Sequence, residues 1–276
     1  MKVVITGATS GLGLAFAIRF LELGDQVVIS SRTPQKVTDI VSTLQAKFGF
    51  QNVFGVPCDV TKADDVKNLA QESVKLLSEI DLWINNAGTN YKHGLLLIDN
   101  SDEMLQQIVE TNLLGSLYGC REALKIMTAQ NKKKGHIINI AGRGTDGNAS
   151  PKLVAYASTK RALDVLHKSL LKETKETNVG IHLVSPSMVM TKLLIQDNTE
   201  LKTKKVFNIL AEHPTVVANQ LVPKMRALTK TGTKIVLLDK KRAAIRFMTA
   251  FRFKNKFFDS QGNLLVSIDQ LEALQS

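Results

Sequence analysis

Short apolar segments alternate with longer amphipathic segments along most of the chain. The short ones are rich in Val and Ile, as buried strands are, and comprise residues 3–6, 26–30, 53–58, 82–84, 136–141, 180–184 and 234–238. The longer ones carry apolar residues at helical spacing and comprise residues 14–23, 35–48, 63–78, 104–127, 154–174 and 214–228. This alternation predicts an α/β fold: right-handed βαβ units forming a doubly wound parallel sheet of the Rossmann type.

The repeating pattern ends at residue 238, so we expect a single domain over residues 1–238 and a basic C-terminal extension over residues 239–276. The chain has 276 residues and a net charge of +11. Residues 224–256 hold 11 Lys and Arg against one acid, so most of the charge is local to this segment. Because no nucleic-acid recognition motif accompanies the charge, we do not expect nucleic-acid binding.

Cysteine usage and the start of the chain bear on location. Cys58 and Cys120 form no CxxC pair and the five His are scattered, which predicts reduced thiols, an intracellular protein and no metal site. Residues 1–5 already have the pattern of a strand, so we expect no signal or transit peptide. No apolar run reaches the ~18 residues of a spanning helix. We therefore expect a cytoplasmic protein, attached to a membrane at most by its surface.

A glycine-rich turn joins the first strand to the first helix. Glycine lets the backbone turn sharply and approach a pyrophosphate, and the helix N-terminus offers free N–H groups to the anion. This position in the fold favours a dinucleotide site over a plain turn. The residues expected to form it are Thr6, Gly7, Ser10, Gly11, Leu12 and Gly13.

The end of the second strand carries the signal for the type of dinucleotide. NAD-preferring proteins usually have an acid here that holds the ribose 2′-hydroxyl. This chain has Ser31 followed by Arg32, and a guanidinium can pair with a 2′-phosphate. The sequence therefore predicts NADPH rather than NADH as the cofactor.

Tyr156 and Lys160 are four residues apart in a predicted helix, so both project from one face. A Tyr has a free pKa of ~10 and needs a neighbouring positive charge to act as an acid–base group near neutral pH. We expect the Lys160 ammonium to favour the phenolate and to hold the nicotinamide ribose. This pair predicts a proton donor beside the cofactor.

Three motifs together, T-G-x3-G-x-G, N-N-A-G at 85–88 and Y-x3-K, resemble the short-chain dehydrogenase/reductase family over residues 1–238. The resemblance implies that Asn112 binds a water that relays protons to Lys160. It also implies further cofactor contacts, to the adenine, along the fourth strand and to the nicotinamide, from Asp59, Val60, Asn86, Ala87, Gly88, Val189 and Thr191.

The family usually has a Ser 11 to 13 residues before the Tyr that polarises the substrate carbonyl, and this chain lacks it. Thr145 is the nearest hydroxyl and Ser150 is a weaker substitute. The family also has Pro-Gly where this chain has Pro186-Ser187. We therefore expect Thr145 to take the catalytic place of the Ser.

A narrower resemblance includes the late part of the chain. The stretches 142–147, 191–194, 207–212, 221–223 and 245–249 are similar to chlorophyll(ide) b reductases. That implies reduction of the 7-formyl group of chlorophyll(ide) b by NADPH, and the broader family implies a homo-oligomer. Two alternatives stay open: a generic NADP-dependent alcohol dehydrogenase or ketone reductase with another lipophilic substrate, and a non-catalytic cofactor-binding regulatory protein.

The basic segment 240–258 has two interpretations. On a helix, Ala244, Phe247, Met248 and Phe251 share one face, flanked by Lys and Arg. Such a helix is typical of segments that lie in a membrane interface, here one of thylakoid type. The same helix can instead pack on the fold with its bases solvated, and the sequence does not separate the two.

Overall fold

The computed structural model describes residues 1–90, 95–130, 135–195 and 200–266. The strands are β1 Lys2–Thr6, β2 Gln26–Ser30, β3 Val53–Gly55, β4 Leu82–Asn85, β5 Gly135–Ile140, β6 Val179–Ser185, β7 Met188–Val189, β8 Ala211–Glu212 and β9 Lys234–Val236. The helices are α1 Gly11–Glu22, α2 Pro34–Phe48, α3 Ala63–Leu77, α4 Asp102–Val109, α5 Gly115–Ala129, α6 Val154–Glu173, α7 Lys192–Ile195, α8 Leu201–Leu210, α9 Pro214–Arg226 and α10 Lys240–Met248.

Within the described ranges, seven strands form one parallel sheet in the order β3-β2-β1-β4-β5-β6-β9. The order reverses between β1 and β4, which opens a crevice at the carboxyl edge where doubly wound folds bind ligands. Helices cover both faces of the sheet, and because strand side chains alternate in direction, each strand contributes buried residues to both faces. Ile5 and Ile84 pack against one helical layer, whereas Val4 and Trp83 pack against the other. The predicted doubly wound Rossmann-type fold is confirmed.

The helix expected over residues 104–127 is interrupted. Between α4 and α5, Glu110–Leu114 forms a π turn in which the Gly115 amide donates to the Glu110 carbonyl. Helical periodicity cannot reveal such a turn, because the apolar pattern on either side remains helical. The turn carries Asn112, which is buried.

The sequence pattern missed the structure between β6 and α9. Here β7 and β8 form a small parallel pair, and α8 lies between them along the chain. These strands have two residues each, too short to produce a periodic signal.

The extension packs against this added region. Phe257 and Phe258 are buried in a small apolar cluster with Phe207 and Met190. We retain the division at residue 238 as a proposal, since β9 ends at Val236 and the later described residues pack outside the sheet. Across the described ranges, no helix combines the length and apolarity needed to cross a membrane.

Candidate active site

The first part of the site is the glycine turn between β1 and α1. Gly7 has φ +64°, a conformation that L side chains rarely adopt. A methyl group at Gly13 would lie 2.3 Å from the Gly7 carbonyl oxygen, so only glycine fits there. Ser10 is the N-cap of α1, yet its side chain accepts no capping hydrogen bond. The turn therefore presents a free hydroxyl and the α1 N-terminus to an anion.

A cavity of about 890 Å³ opens at the carboxyl edge of the sheet above this turn. Most of the residues expected from the sequence line it together, although they come from many parts of the chain. They are Gly7, Ser10, Gly11, Leu12, Gly13, Ser31, Arg32, Asp59, Val60, Asn86, Ala87, Gly88, Tyr156, Lys160, Val189 and Thr191. Three expected residues, Thr6, Asn112 and Thr145, do not line the cavity.

Thr6 lies beneath the cavity and joins two strand ends. Its buried hydroxyl accepts from the backbone amides of Asn86 and Ala87, at 3.1 Å each. The Asn86 amide group in turn donates to the carbonyls of Thr6 and Gly7 at 2.9 and 3.0 Å. These bonds fix the crevice between β1 and β4, so Thr6 supports the cofactor residues from below.

Asn112 sits behind the cavity wall. Its amide donates to the Thr89 carbonyl at 2.8 Å and to the Thr159 hydroxyl at 3.2 Å, and its oxygen accepts from the Thr89 amide at 2.8 Å. Its backbone carbonyl accepts from the Ser116 hydroxyl. Asn112 thereby connects the π turn to α6, the helix that carries Tyr156 and Lys160, and its role in a proton relay stays a prediction.

Thr145 turns toward its own loop. Its hydroxyl donates to the Gly142 carbonyl at 2.8 Å and accepts from the Gly142 amide at 3.1 Å. A hydroxyl has one proton to give, and Thr145 gives it to Gly142. The weaker candidate, Ser150, accepts from the Arg143 guanidinium and also lies off the cavity.

Tyr156 and Lys160 do lie side by side on α6. The Lys160 ammonium is 5.6 Å from the centre of the Tyr156 ring and donates to the Ile140 carbonyl at 3.0 Å. A methyl group at Gly142 would lie 2.4 Å from the Tyr156 hydroxyl oxygen, so glycine keeps this hydroxyl accessible. Tyr156 and Lys160 therefore lie at the carboxyl end of β5.

The two pKa values are shifted by burial. Burial raises the pKa of Tyr156 to about 12 and lowers the pKa of Lys160 to about 8. The sequence-based expectation was that the ammonium would favour the phenolate. Here burial outweighs the neighbouring ammonium, so the Tyr156 hydroxyl keeps its proton at neutral pH. That is the form a proton donor needs.

The far end of the cavity is cationic. Arg32 and Lys36 both line it, beside the N-terminus of α2, which starts with Pro34 and whose N-cap Thr33 makes no side-chain capping bond. Sequence reasoning missed Lys36. Its position in the first turn of a helix that follows the second strand is the signal that would have found it.

The end nearest Tyr156 has both apolar and charged walls. Its apolar lining residues come from the loop before α6, from α7 and from α8, and are Leu153, Leu193, Leu194, Val206 and Phe207. Lys152, Lys192, Glu200 and Thr203 also line this end, as does Arg143, whose Nε donates to the Ser150 hydroxyl. The arrangement can hold a dinucleotide along the strand ends and a lipophilic molecule against Tyr156.

Residues 1–202 match the family model described as short chain dehydrogenase. The chain belongs to the short-chain dehydrogenase/reductase family. This membership confirms the family resemblance that the three motifs indicated.

The resemblance to chlorophyll(ide) b reductases is also confirmed. This family member is 43% identical over 260 residues to chlorophyll(ide) b reductase NOL, chloroplastic, from Arabidopsis thaliana, covering 93% of the chain and 72% of that protein. It is 39% identical over 283 residues to the probable chlorophyll(ide) b reductase NYC1, chloroplastic, of the same plant. That match covers 97% of the chain but only 56% of the relative's length.

Solved structures agree on the fold of this short-chain dehydrogenase/reductase. An alcohol dehydrogenase from Thermococcus sibiricus complexed with 5-hydroxy-NADP superimposes with a TM-score of 0.70 at 21% identity, covering 85% of this chain and 94% of that one. A 3-ketoacyl-(acyl-carrier-protein) reductase from Brucella melitensis complexed with NADH gives 0.72 at 24% identity, covering 87% and 97%. One neighbour holds an NADP derivative and the other NADH, so the fold alone does not select the cofactor.

Proposed function

We propose that this protein is an NADPH-dependent reductase of a lipophilic carbonyl compound, foremost the 7-formyl group of chlorophyll b or chlorophyllide b. The observation that carries the substrate is the similarity to chlorophyll(ide) b reductase NOL over 93% of the chain, which extends past the strands of the Rossmann sheet into the extension. The apolar residues at the substrate end, Leu153, Leu193 and Phe207 among them, suit a large ring system.

The preference for NADPH rests on charge. Arg32 and Lys36 present two cations where a ribose 2′-phosphate would lie, and Ser31 replaces the acid that would repel it. The N-terminus of α2 adds a partial positive charge at the same place. Each of these features stabilises a phosphate more than a hydroxyl.

The residues of the chain supply proton transfer and positioning. NADPH, when bound, provides the hydride that reduces the carbonyl carbon. Tyr156 donates its proton to the carbonyl oxygen, because its raised pKa keeps the hydroxyl protonated until charge develops on that oxygen. Lys160, anchored on Ile140, is placed to hold the nicotinamide ribose and to stabilise the tyrosinate that remains. We keep Asn112 as the link through which water returns the proton.

The test is an NADPH oxidation assay of the purified full chain with chlorophyllide b and a panel of small aldehydes and ketones. We expect consumption of NADPH with chlorophyllide b and formation of the 7-hydroxymethyl product, detected by its absorption spectrum after chromatography. Reduction of panel compounds without chlorophyllide b would favour the generic reductase. NADPH binding without turnover of any carbonyl would favour the regulatory protein.

We also propose a peripheral contact with an anionic membrane. Met248 and Phe251 are 75% and 66% exposed, next to the exposed Phe247, and basic side chains surround them. Exposed apolar side chains among cations are typical of interfacial segments. Vesicles with and without anionic lipid test this: the double variant Met248→Ser, Phe251→Ser should lose binding. The matched control Val165→Ser, which alters an exposed apolar residue on α6, should keep it.

Assembly and location are proposals of the same kind. The plant relatives are named chloroplastic, and we propose that this chain works beside a membrane of thylakoid type. We propose a homo-oligomer on the family resemblance alone, and light scattering on the purified chain checks it.

A further inference from the structure

Glu212 is a carboxylate with 14% side-chain exposure at the end of β8, and two cations from the extension hold it. Arg246 Nη2 lies 2.6 Å from one carboxylate oxygen and Lys256 Nζ lies 2.7 Å from the other. Both cations belong to the basic segment that the sequence left between membrane contact and solvation. Their position shows that part of this charge faces inward.

The backbone of Glu212 leads directly to the loop after β6. Val189 of β7 pairs with Glu212 in parallel register, and the Met190 amide donates to the Glu212 carbonyl at 2.8 Å. Lys256 Nζ donates to the Ala211 carbonyl at 2.8 Å as well. The extension therefore holds β8, and β8 holds the loop that includes Val189.

The two cations are themselves fixed. Arg246 and Lys256 lie 5.5 and 5.9 Å from the centre of the same Phe253 ring, within the range of cation–π attraction. The chain beyond Lys256 is anchored by Asn208, whose side chain bonds the backbone amides of Phe257 and Phe258. These contacts hold Arg246 and Lys256 against the fold, so the two cations are not freely solvated surface charges.

The loop that includes Val189 depends on contacts with other segments for its position. Ser187 adopts φ +68°, an uncommon conformation for a residue with a side chain. It lines both the main cavity and a second cavity of about 260 Å³, whose lining also includes Glu212 and Arg246. At Ser187 the loop is thus a wall between two open spaces. In front, a methyl group at Gly11 would lie 3.2 Å from Thr191 Cγ2, so the loop reaches the glycine turn.

We propose that the extension clamps the loop of residues 186–191, the nicotinamide loop, with Arg246 and Lys256 acting on Glu212 as positioning residues. The inference rests on the proposed contact of Val189 and Thr191 with the nicotinamide. It gives the basic extension a role in the reaction, in addition to any role at a membrane.

The test compares two ligands of the intact chain. NADPH would reach from Arg32 to the loop that includes Val189, whereas adenosine 2′,5′-bisphosphate has the adenine, ribose and 2′-phosphate but no nicotinamide. In Glu212→Gln and Arg246→Met, we expect NADPH affinity to weaken about tenfold, since a charge-assisted contact is removed, with adenosine 2′,5′-bisphosphate affinity changed less than about twofold. Arg246→Lys should recover most of the NADPH affinity. The control Lys254→Met, an exposed cation of the same segment, should match the wild type.

An equal loss of affinity for both ligands, or no loss of affinity for either, would contradict the proposed clamp. If Glu212→Gln does not fold, as thermal unfolding would show, the comparison of Arg246→Met with Arg246→Lys decides in its place. If the wild type binds neither ligand, the proposed cofactor function fails rather than the clamp. A turnover assay adds a second readout: the variants should raise KM for NADPH more than they lower kcat.

Discussion

The hydroxyl of Thr145 and the backbone of Gly142 form a reciprocal pair of hydrogen bonds, at 2.8 and 3.1 Å. Gly142 in turn lies against the Tyr156 hydroxyl, because any side chain at Gly142 would collide with it. Thr145 therefore acts on the site through the backbone of Gly142. In this arrangement Tyr156 lines the cavity and Thr145 does not, so the proposal keeps Tyr156 as proton donor and places Thr145 behind Gly142.

Thr145→Val removes both bonds and should lower kcat about tenfold, because a small displacement of Gly142 misaligns Tyr156. The loss of two neutral hydrogen bonds should lower the free energy of unfolding by about 2 kcal/mol. Thr145→Ser retains the hydroxyl and should behave as the wild type in both measurements. A loss of about 10²–10³ in kcat for the Val variant, without loss of stability, would instead show direct polarisation of the carbonyl.

Tyr156→Phe should abolish turnover while NADPH affinity stays within about threefold of the wild type, because only the transferred proton is lost. Steady-state assays with the substrate found in the NADPH oxidation assay measure turnover. Fluorescence titration measures the affinity for NADPH. Comparable turnover in this variant would contradict the assignment of Tyr156 as proton donor.

The lowered pKa of Lys160, about 8, predicts a pH dependence of kcat/KM. Lys160 is charged below this value, so kcat/KM for NADPH should be level near pH 7 and fall as the pH rises through about 8. Assays from pH 6 to 9.5 give the profile. A profile without a break in that range would contradict the shift.

The same shift affects stability with a definite sign. Between the pKa of about 8 in the folded protein and the ~10.4 of an unfolded lysine, the unfolded chain binds more protons, so this group makes stability rise with pH. Below pH 8 the full cost of burying the charge is present. Lys160→Met should therefore raise the melting temperature at pH 7 by a few degrees, and the gain should shrink toward pH 10. Thermal unfolding at both pH values checks this.

Arg32→Ala and Lys36→Ala should each raise KM for NADPH about tenfold and leave KM for NADH nearly unchanged, since NADH lacks the 2′-phosphate. The double variant should reduce the preference further. Equal effects on the two cofactors would mean that the cations do not contact that phosphate. Lys47→Ala, near the other end of α2, is the matched control.

The sequence predicted the fold and most of the cavity because these follow from local patterns. The motifs after β1, β2 and β4 meet because parallel strands place their carboxyl ends at one edge of the sheet. Gly7, Arg32 and Gly88 thus come together without any knowledge of side-chain packing.

What the sequence could not predict depends on long-range pairing. Glu212 is more than 30 residues from each of its partners, Arg246 and Lys256. A basic segment has the same composition whether its side chains are solvated or packed on the fold. The direction of the Thr145 hydroxyl depends on the turn at Gly142, which no spacing rule defines. Arg246 packs on the fold while Phe251 is exposed, so part of the basic segment packs as one interpretation predicts and the membrane contact stays a proposal.

The π turn at Glu110–Leu114 has the geometry of an α-helix that has acquired one additional residue. Deleting one residue there would make the helix regular, and α4 and α5 would stay in phase because the π turn holds its extra residue in one wide turn. The residues of that turn would shift, and Asn112 would lose its register with Thr89 and Thr159. The regular helix would therefore lack the contacts that Asn112 makes, and a single-residue deletion here should be as damaging as the loss of Asn112 itself.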